Sequence, residues 1–583
     1  MLELISVARV LSRHGQESLQ VLEQVSFAAP KGHLMAIVGA PGSGKSTLIG
    51  ILAGLLRPTG GSVIFQGKDC VKQRLHPNSI GHVPAADDVL NAALTVRESV
   101  MSALMLRVAD QTRDQRVGKA SHLLVGLGLE TLASQRVSTL TLPQRRRLKL
   151  ALALVSDPAL VVCDEFTDGL DVKSEQELTA LLKFVAADHP ARVVIHATQT
   201  LGNLPAYDTV VILHEGRVCF HGPSRAVSHY FSVTTVEELY PRLAKRPAQR
   251  WGDSWTRHRD SYYDAFKLGN VRASAPEDEE DGTDPDRISP PTETGFGTGD
   301  ASTETACPPA PALPSVIAQA KHLIQRRWTT LHRSTGEWSK QLAIFLLSPV
   351  VAALLVSPNM HFLKDLAAAP GAPALLWPAA YTCAMALFVQ ILLVLMMSVR
   401  NGAREIAAER AVYEREQTGG LRTSAYLLGK LGFLIPIVLL QCFSLGLFLD
   451  MTTGSLPGHG LPRLLLLALT GLAFTSLCLG ISAHNRSAER AHSACWMLLF
   501  ANVLLAGALL GFPRILGGVL QPLSTAYYGW SGSVETLNGT AVFEPLTQFV
   551  RTWFATPVLA ISALGGHFVV GIVLTLTGLR RGR

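Results

Sequence analysis

The run Gly39-Ala-Pro-Gly-Ser-Gly-Lys-Ser46 has residue types and a spacing suited to holding phosphate. Gly39, Gly42 and Gly44 let the backbone curl so that its N–H groups converge on an anion. Lys45 adds a compact positive charge, and the Ser46 hydroxyl is a hard oxygen suited to Mg2+. Thr47 opens the next helical run, Thr47–Leu56, whose N-terminus contributes a partial positive charge. A chance Gly-rich turn is the alternative. The apolar strand Leu34–Val38 before the loop and the helical run after it favour a phosphate-binding loop. ATP and Mg2+ are the cofactors such a loop implies.

A second apolar run ends in acid, Leu160-Val-Val-Cys-Asp164-Glu165. A buried strand presents such carboxylates at its C-terminal edge. Asp164 is expected to hold Mg2+ through water, and Glu165 to polarise the attacking water as a general base. An acidic turn meeting solvent is the other reading. His196 ends the run Val193–Ile195 and is expected to sense or position the γ-phosphate. A structural histidine is its alternative.

These residues need a scaffold. Residues 1–245 read as soluble α/β, with short apolar runs at Leu34–Val38, Leu160–Cys163, Val193–His196 and Val210–Leu213. Runs of this length, bounded by Gly, Asp or Pro, fit buried parallel strands. Residues 246–312 turn acidic and then rich in Pro, Gly, Ser and Thr. They are expected to form a flexible linker, with an acidic docking tail as the alternative.

From 313 to 583 the chain changes character. A basic amphipathic stretch leads into long uncharged runs at Gln341–Met360, Leu366–Val399, Leu431–Leu449, Leu464–His484, Ala491–Pro513 and Thr552–Leu579. Each is long enough to cross about 30 Å of hydrocarbon as a helix. The fold class expected is therefore an α/β P-loop ATPase domain followed by an all-α six-span transmembrane domain. Pro370, Pro373 and Pro378 mark the outer loop and start of the second span. Arg400, Arg404, Arg410, Arg415, Arg422 and Lys430 follow that span, Arg486 and Arg490 follow the fourth, and Arg580, Arg581 and Arg583 end the chain. The excess of basic residues in these loops predicts an integral, multi-pass protein with both termini cytoplasmic.

Composition agrees with this division. The 583 residues are 48% hydrophobic and 17% charged, against about 25% charged in soluble proteins. Mean hydropathy is +0.26. The net charge of +7 is modest and does not point to nucleic acid. The 8 cysteines are scattered without metal-ligand spacing, so neither a metal cluster nor an outer disulfide framework is expected. MLELISVARV lacks a basic segment followed by an apolar run, so no cleavable signal is expected.

The order of these motifs resembles an ABC transporter ATPase. Over nearly the whole chain it resembles the ABCG (White-type) half-transporters, in which the ATPase domain precedes six spans. Asp87-Asp88 with Leu94-Thr-Val-Arg-Glu98 is similar to the family's DD…LTVRE stretch. Gln144-Arg-Arg-Arg-Leu148 is similar to its ERKRL run, and Thr167-Asp-Gly-Leu-Asp171 to its TTGLD loop, where Asp171 would be a nucleotide-site acid. The cluster from Glu409 to Lys430 resembles the cytoplasmic loop that couples ATPase to spans. A solvated helix with charge pairs would not exclude that role. Tyr528-Gly529-Trp530 resembles a segment of the large outer loop. Leu509-Leu510 could match an apolar plug or simply pack in the core.

The departures are as informative. Where the family's signature reads roughly SGGE, this chain has Thr141-Leu142-Pro143-Gln144. Leu adds a side chain, and Pro has no N–H to offer a γ-phosphate bound by the partner domain. Ala86 stands where a glutamine is expected. The resemblance implies a half-transporter that dimerises and exports or flips a lipid, sterol or other hydrophobic compound. It leaves open a homodimer or a heterodimer with another half-transporter, and a non-transporting ATP-binding membrane regulator. Membrane lipid is an implied partner.

Overall fold

The computed structural model describes residues 1–11, 18–73, 75–189, 191–266, 310–368, 372–453, 456–510, 514–549 and 553–581. It divides into two compact units, Met1–Leu313 with Thr418–Gly420, and Pro314–Gln417 with Leu421–Arg583.

Among the described residues, the first unit carries two sheets. Strands β1 (Leu2–Leu11), β2 (Leu19–Ala29), β3 (Leu34–Val38), β4 (Gly60–Phe65), β5 (Lys68–Asp69), β6 (Ile80–Val83), β7 (Leu160–Asp164), β8 (Val193–Thr198), β9 (Thr209–His214) and β10 (Arg217–Gly222) follow in chain order. The antiparallel sheet has the order β2-β1-β4-β5, and the larger sheet β10-β9-β3-β8-β7-β6. In the larger sheet β9, β3, β8, β7 and β6 run parallel, and β10 pairs antiparallel with β9. Every residue of β3 and β8 is buried, as expected of parallel strands covered on both faces. The central strands β3, β8 and β7 therefore bring their C-terminal ends to one edge, where Gly39, Asp164 and Gln199 begin or end their loops.

The expected linker starts too early at residue 246. Ala248–Ala265 forms a helix of the first unit. Its aromatic residues supply the reason. The Trp255 and Phe220 ring centroids lie 5.2 Å apart, as do those of Trp251 and Phe231, and the Tyr263 hydroxyl meets His221 Nδ1 at 2.9 Å. Large rings buried against β10 outweigh a polar composition. The acidic and Pro-rich part of the expected linker, 267–309, lies outside the described residues.

The second unit is helical. Among the described residues it has 5 helices long and apolar enough to cross a membrane, within Thr335–Leu366, Pro373–Thr418, Thr423–Thr452, Gly460–His484 and Pro557–Arg580. The remaining expected span corresponds to the helix Ala488–Leu505, which begins with Glu489, Arg490 and His492 and is less apolar. The second span starts at Pro373, a position where the missing N–H costs nothing. Helices Gly460–His484 and Pro557–Arg580 meet through small residues. A Cβ on Gly571 would collide with Ser476, and one on Gly480 would lie 2.8 Å from Leu574 Cβ, so these glycines permit the close approach.

Three amides tie other helices together in a closed ring. Asn401 Nδ2 donates to Gln441 Oε1 at 2.8 Å, Gln441 Nε2 to Gln341 Oε1 at 3.1 Å, and Gln341 Nε2 to Asn401 Oδ1 at 3.3 Å. Amides paired in this way avoid the cost of unsatisfied polar groups away from water. Tyr528-Gly529-Trp530 lies in the buried helix Thr525–Glu535, ahead of the helix Pro557–Arg580. Asn502 Oδ1 accepts the N–H groups of Thr525 and Ala526 at the start of that helix, and Trp530 Nε1 donates to the Ala384 carbonyl at 3.3 Å. Leu509 and Leu510 are 54% and 46% exposed, which excludes core packing for that pair.

Candidate functional site

The phosphate loop leaves β3 at Gly39, and its shape depends on glycine. A Cβ at Gly39 would collide with the Leu213 carbonyl and the Ser43 hydroxyl. Gly42 and Gly44 have φ of +81° and +99°, conformations that L side chains rarely adopt. Gly44 precedes the helix Lys45–Leu52. Lys45 is 4% exposed, and its Nζ donates to the carbonyls of Gly39 at 2.6 Å and Ala40 at 3.0 Å. Burial lowers its pKa, while Glu165, Asp168 and Asp164 act in the opposite direction. Thr47 is half-buried in the first turn of the helix.

The acids arrive from β7. Ser46 Oγ donates to Asp164 Oδ1 at 3.3 Å, so the loop and the strand end meet as the sequence predicted. Burial is the main cause that pushes the Asp164 carboxyl up to about 6, with Ser46 opposing and Glu165 assisting. A partly buried carboxylate beside a hydroxyl suits Mg2+, which binds few protein oxygens and keeps waters or phosphates for the rest. Among the described residues no cluster of three or more His, Cys, Asp or Glu could hold a metal alone. The donor set thus fits a cation shared with a phosphate ligand.

Glu165 follows with φ of +46°, held by its N–H donating to the Ala197 carbonyl at 2.9 Å. Non-glycine residues persist there only when their surroundings fix them. Asp168 Oδ1 accepts from Thr198 Oγ1 at 2.9 Å, and burial raises its pKa. Asp171 is exposed at the start of the helix Val172–Asp188, where its Oδ2 accepts from Ser174 N–H at 3.1 Å. Those Ser174 hydrogen bonds hold its carboxyl below the usual range. In this structure Asp171 acts as a helix cap.

His196 is not brought to Glu165. It faces inward from β8 with 0% exposure, in register with Cys163 and Ala36. Its Nδ1 lies 2.7 Å from the Tyr207 hydroxyl, and burial pushes its pKa down to about 3. The strand continues past His196 to Thr198, so the residue beside the acids is Gln199. Gln199 Nε2 donates to Glu165 Oε1 at 2.8 Å. The sequence reading ended the strand too early. Counting β8 against β7 would have placed Ala197 opposite Asp164 and Gln199 at the edge.

The loop around Ala86 is also pinned. Lys149 is 2% exposed. Its Nζ donates to the carbonyls of Pro84, Ala85 and Ala86 at 3.0, 3.2 and 3.0 Å and to Asp87 Oδ1 at 2.8 Å. Arg146 adds a bond to the Ala85 carbonyl at 2.7 Å. The divergent signature starts the helix Leu142–Leu154, with Gln144 Oε1 accepting the Thr141 N–H at 3.0 Å.

Comparison with known proteins bears on both units. Residues 22–168 match the family described as ABC transporter, and residues 318–536 match ABC-2 type transporter. The chain thus carries a region matching the ABC transporter family ahead of one matching the ABC-2 type transporter family. It is 27% identical over 558 residues to the ABC transporter ATP-binding/permease protein Rv1747 of Mycobacterium tuberculosis, covering 92% of this chain and 58% of that protein. Over 232 residues it is 31% identical to the methionine import ATP-binding protein MetN of Latilactobacillus sakei, covering 39% of this chain and 66% of the relative. Among solved structures, the dimeric bacterial ABC transporter cassette MJ0796 is 25% identical over 39% of this chain and 99% of that one, with a TM-score of 0.35.

Proposed function

We propose that the chain binds and hydrolyses ATP and couples this to moving a hydrophobic compound, such as a lipid or sterol, across a membrane as one half of a dimer. The observation that carries the reading is Ser46 on Asp164, with Glu165 next in the chain, in a protein whose other unit has five membrane-length apolar helices. The relative named an ATP-binding/permease protein, aligned over both units, supports it. The ABCG-like order of ATPase before spans, six spans in all and cytoplasmic termini belong to the same proposal.

Each residue has a role in it. The backbone of Gly39–Gly44 and the ammonium of Lys45 bind and orient the β- and γ-phosphates. Ser46 and Asp164 hold Mg2+, which when bound neutralises phosphate charge. Glu165 takes a proton from the attacking water.

A second reading rests on the divergent sequence. Leu142 and Pro143 take the place that the resemblance gives to close backbone donors, which fits the subunit of a heterodimer with one slow site. The charge-free helices fit an apolar cargo and lipid-facing surfaces alike.

Two substitutions test the proposed chemistry in the purified full chain. Lys45→Ala should weaken ATP binding. Glu165→Gln should keep binding and lower turnover by about 100-fold or more. Equal turnover in wild type and Glu165→Gln would remove Glu165 as the base.

A further inference from the structure

We propose that Gln199 is the positioning residue for the Glu165 carboxylate, holding it through the side-chain amide. The inference rests on the ATPase reading above and deepens it.

The contact is directional. Glu165 offers only acceptors when ionised, so the Gln199 amide must present its NH2 to it, and an oxygen there would repel. The bond from Nε2 to Oε1 is 2.8 Å. Both ends are anchored independently of that bond. The Glu165 N–H is tied to the Ala197 carbonyl on β8. The Gln199 carbonyl accepts from the Tyr240 hydroxyl at 2.6 Å, and Tyr240 belongs to the short helix Leu239–Leu243. Next to it, Thr198 Oγ1 donates to Asp168 at 2.9 Å and meets Thr200 Oγ1 at 3.0 Å. A group fixed from several sides can hold a reacting side chain to a narrow range of positions.

The amide's chemistry suits that task. A neutral donor orients the carboxylate without cancelling its charge, so Glu165 remains a proton acceptor. Gln199 cannot take the proton itself. Its Oε1 stays free of the contact with Glu165 and can accept a hydrogen bond from a water close to the carboxylate. His196, three positions earlier, has its ring committed to Tyr207 inside the sheet and leaves the edge to Gln199.

The test uses the full chain, purified, with ATP turnover and ATP binding measured separately. Gln199→Ala should lower kcat by about 10- to 100-fold, as loss of an orienting partner does, with ATP binding unchanged. Gln199→His, which can again donate an N–H from that position, should recover most of the loss. Gln199→Ala placed in Glu165→Gln should cause no further loss, because the two residues act as one unit. Wild-type kcat in Gln199→Ala overturns the inference. So does an equal loss in the Glu165→Gln background, or a loss confined to ATP binding. A wild-type chain without turnover overturns the ATPase reading as well, whereas turnover matched by Gln199→Ala overturns this inference alone.

Discussion

Arg326 grips Glu416 with both arms of its guanidinium, Nη1 to Oε1 at 2.5 Å and Nη2 to Oε2 at 3.0 Å. The two side chains are only 9% and 8% exposed. Alongside, Arg327 forks onto Glu405 at 2.9 and 3.0 Å, and Lys430 joins Glu405 at 2.9 Å to Glu409 at 2.6 Å. Bidentate geometry is what offsets the desolvation of such pairs. Charges this well buried are not the surface pairs of a solvated helix.

Removing one partner should therefore cost more than removing both. Arg326→Ala leaves Glu416 buried with Arg415 at 3.3 Å, and should destabilise the second unit by about 3 kcal/mol. Arg326→Met combined with Glu416→Met should lose clearly less. Thermal unfolding of the full chain in detergent measures both. A single variant as stable as wild type would sink the claim that this pair is desolvated.

Lys149 gives a second stability prediction. Its ammonium satisfies three successive carbonyls and the Asp87 carboxylate. Lys149→Met keeps the length and removes every donor. It should cost about 3 kcal/mol or more, since each buried acceptor left unpaired costs about 1–3 kcal/mol. A denaturant titration followed by intrinsic fluorescence reads the loss. An unchanged midpoint would mean that water replaces the ammonium and that the loop at Ala86 is not pinned by it.

The sequence made some parts of this site legible and hid others for physical reasons. The loop Gly39–Ser46 and the acids Asp164 and Glu165 could be read because glycine spacing and an apolar run ending in acid are local signals. Gln199 could not be read this way. Its role comes from the register of β8 on β7, which only the sheet reveals, and His196 was the more conspicuous residue nearby. The same holds for Lys149, whose partners lie more than sixty positions earlier. In the second unit, hydrophobic length located the apolar helices, while the helix Thr525–Glu535, with 11 residues, is too short to announce itself by an apolar run.

Topology can be checked by labelling. The arginine-rich segment between the second and third spans should face the cytoplasm, and the segment before the last span the outside. Ser424 and Asn538 are both exposed, so cysteines placed there should react according to side. With a membrane-impermeant maleimide on intact cells, Asn538→Cys should label, whereas Ser424→Cys should label only after permeabilisation. Labelling of Ser424→Cys from outside would reverse the orientation.

The divergent signature gives the last prediction. Pro143 has no N–H and Leu142 carries a side chain, at the place where the resemblance to the family implies close backbone donors to phosphate. A homodimer of this chain should therefore hydrolyse ATP slowly, since losing one such donor can cost about 10²–10³ in rate, by analogy with oxyanion-hole donors. Leu142→Gly with Pro143→Gly should raise the basal rate. The helix Leu142–Leu154 should survive the change, because its start is also held by the Thr141 N–H on Gln144 and proline there is helpful, not required. Steady-state ATPase assays on the folded, dimeric variant decide the matter. An unchanged rate would show that this loop does not limit turnover. A wild-type rate that rises only when a second half-transporter is co-expressed would assign the complementary signature to that partner and make this chain one side of a heterodimer.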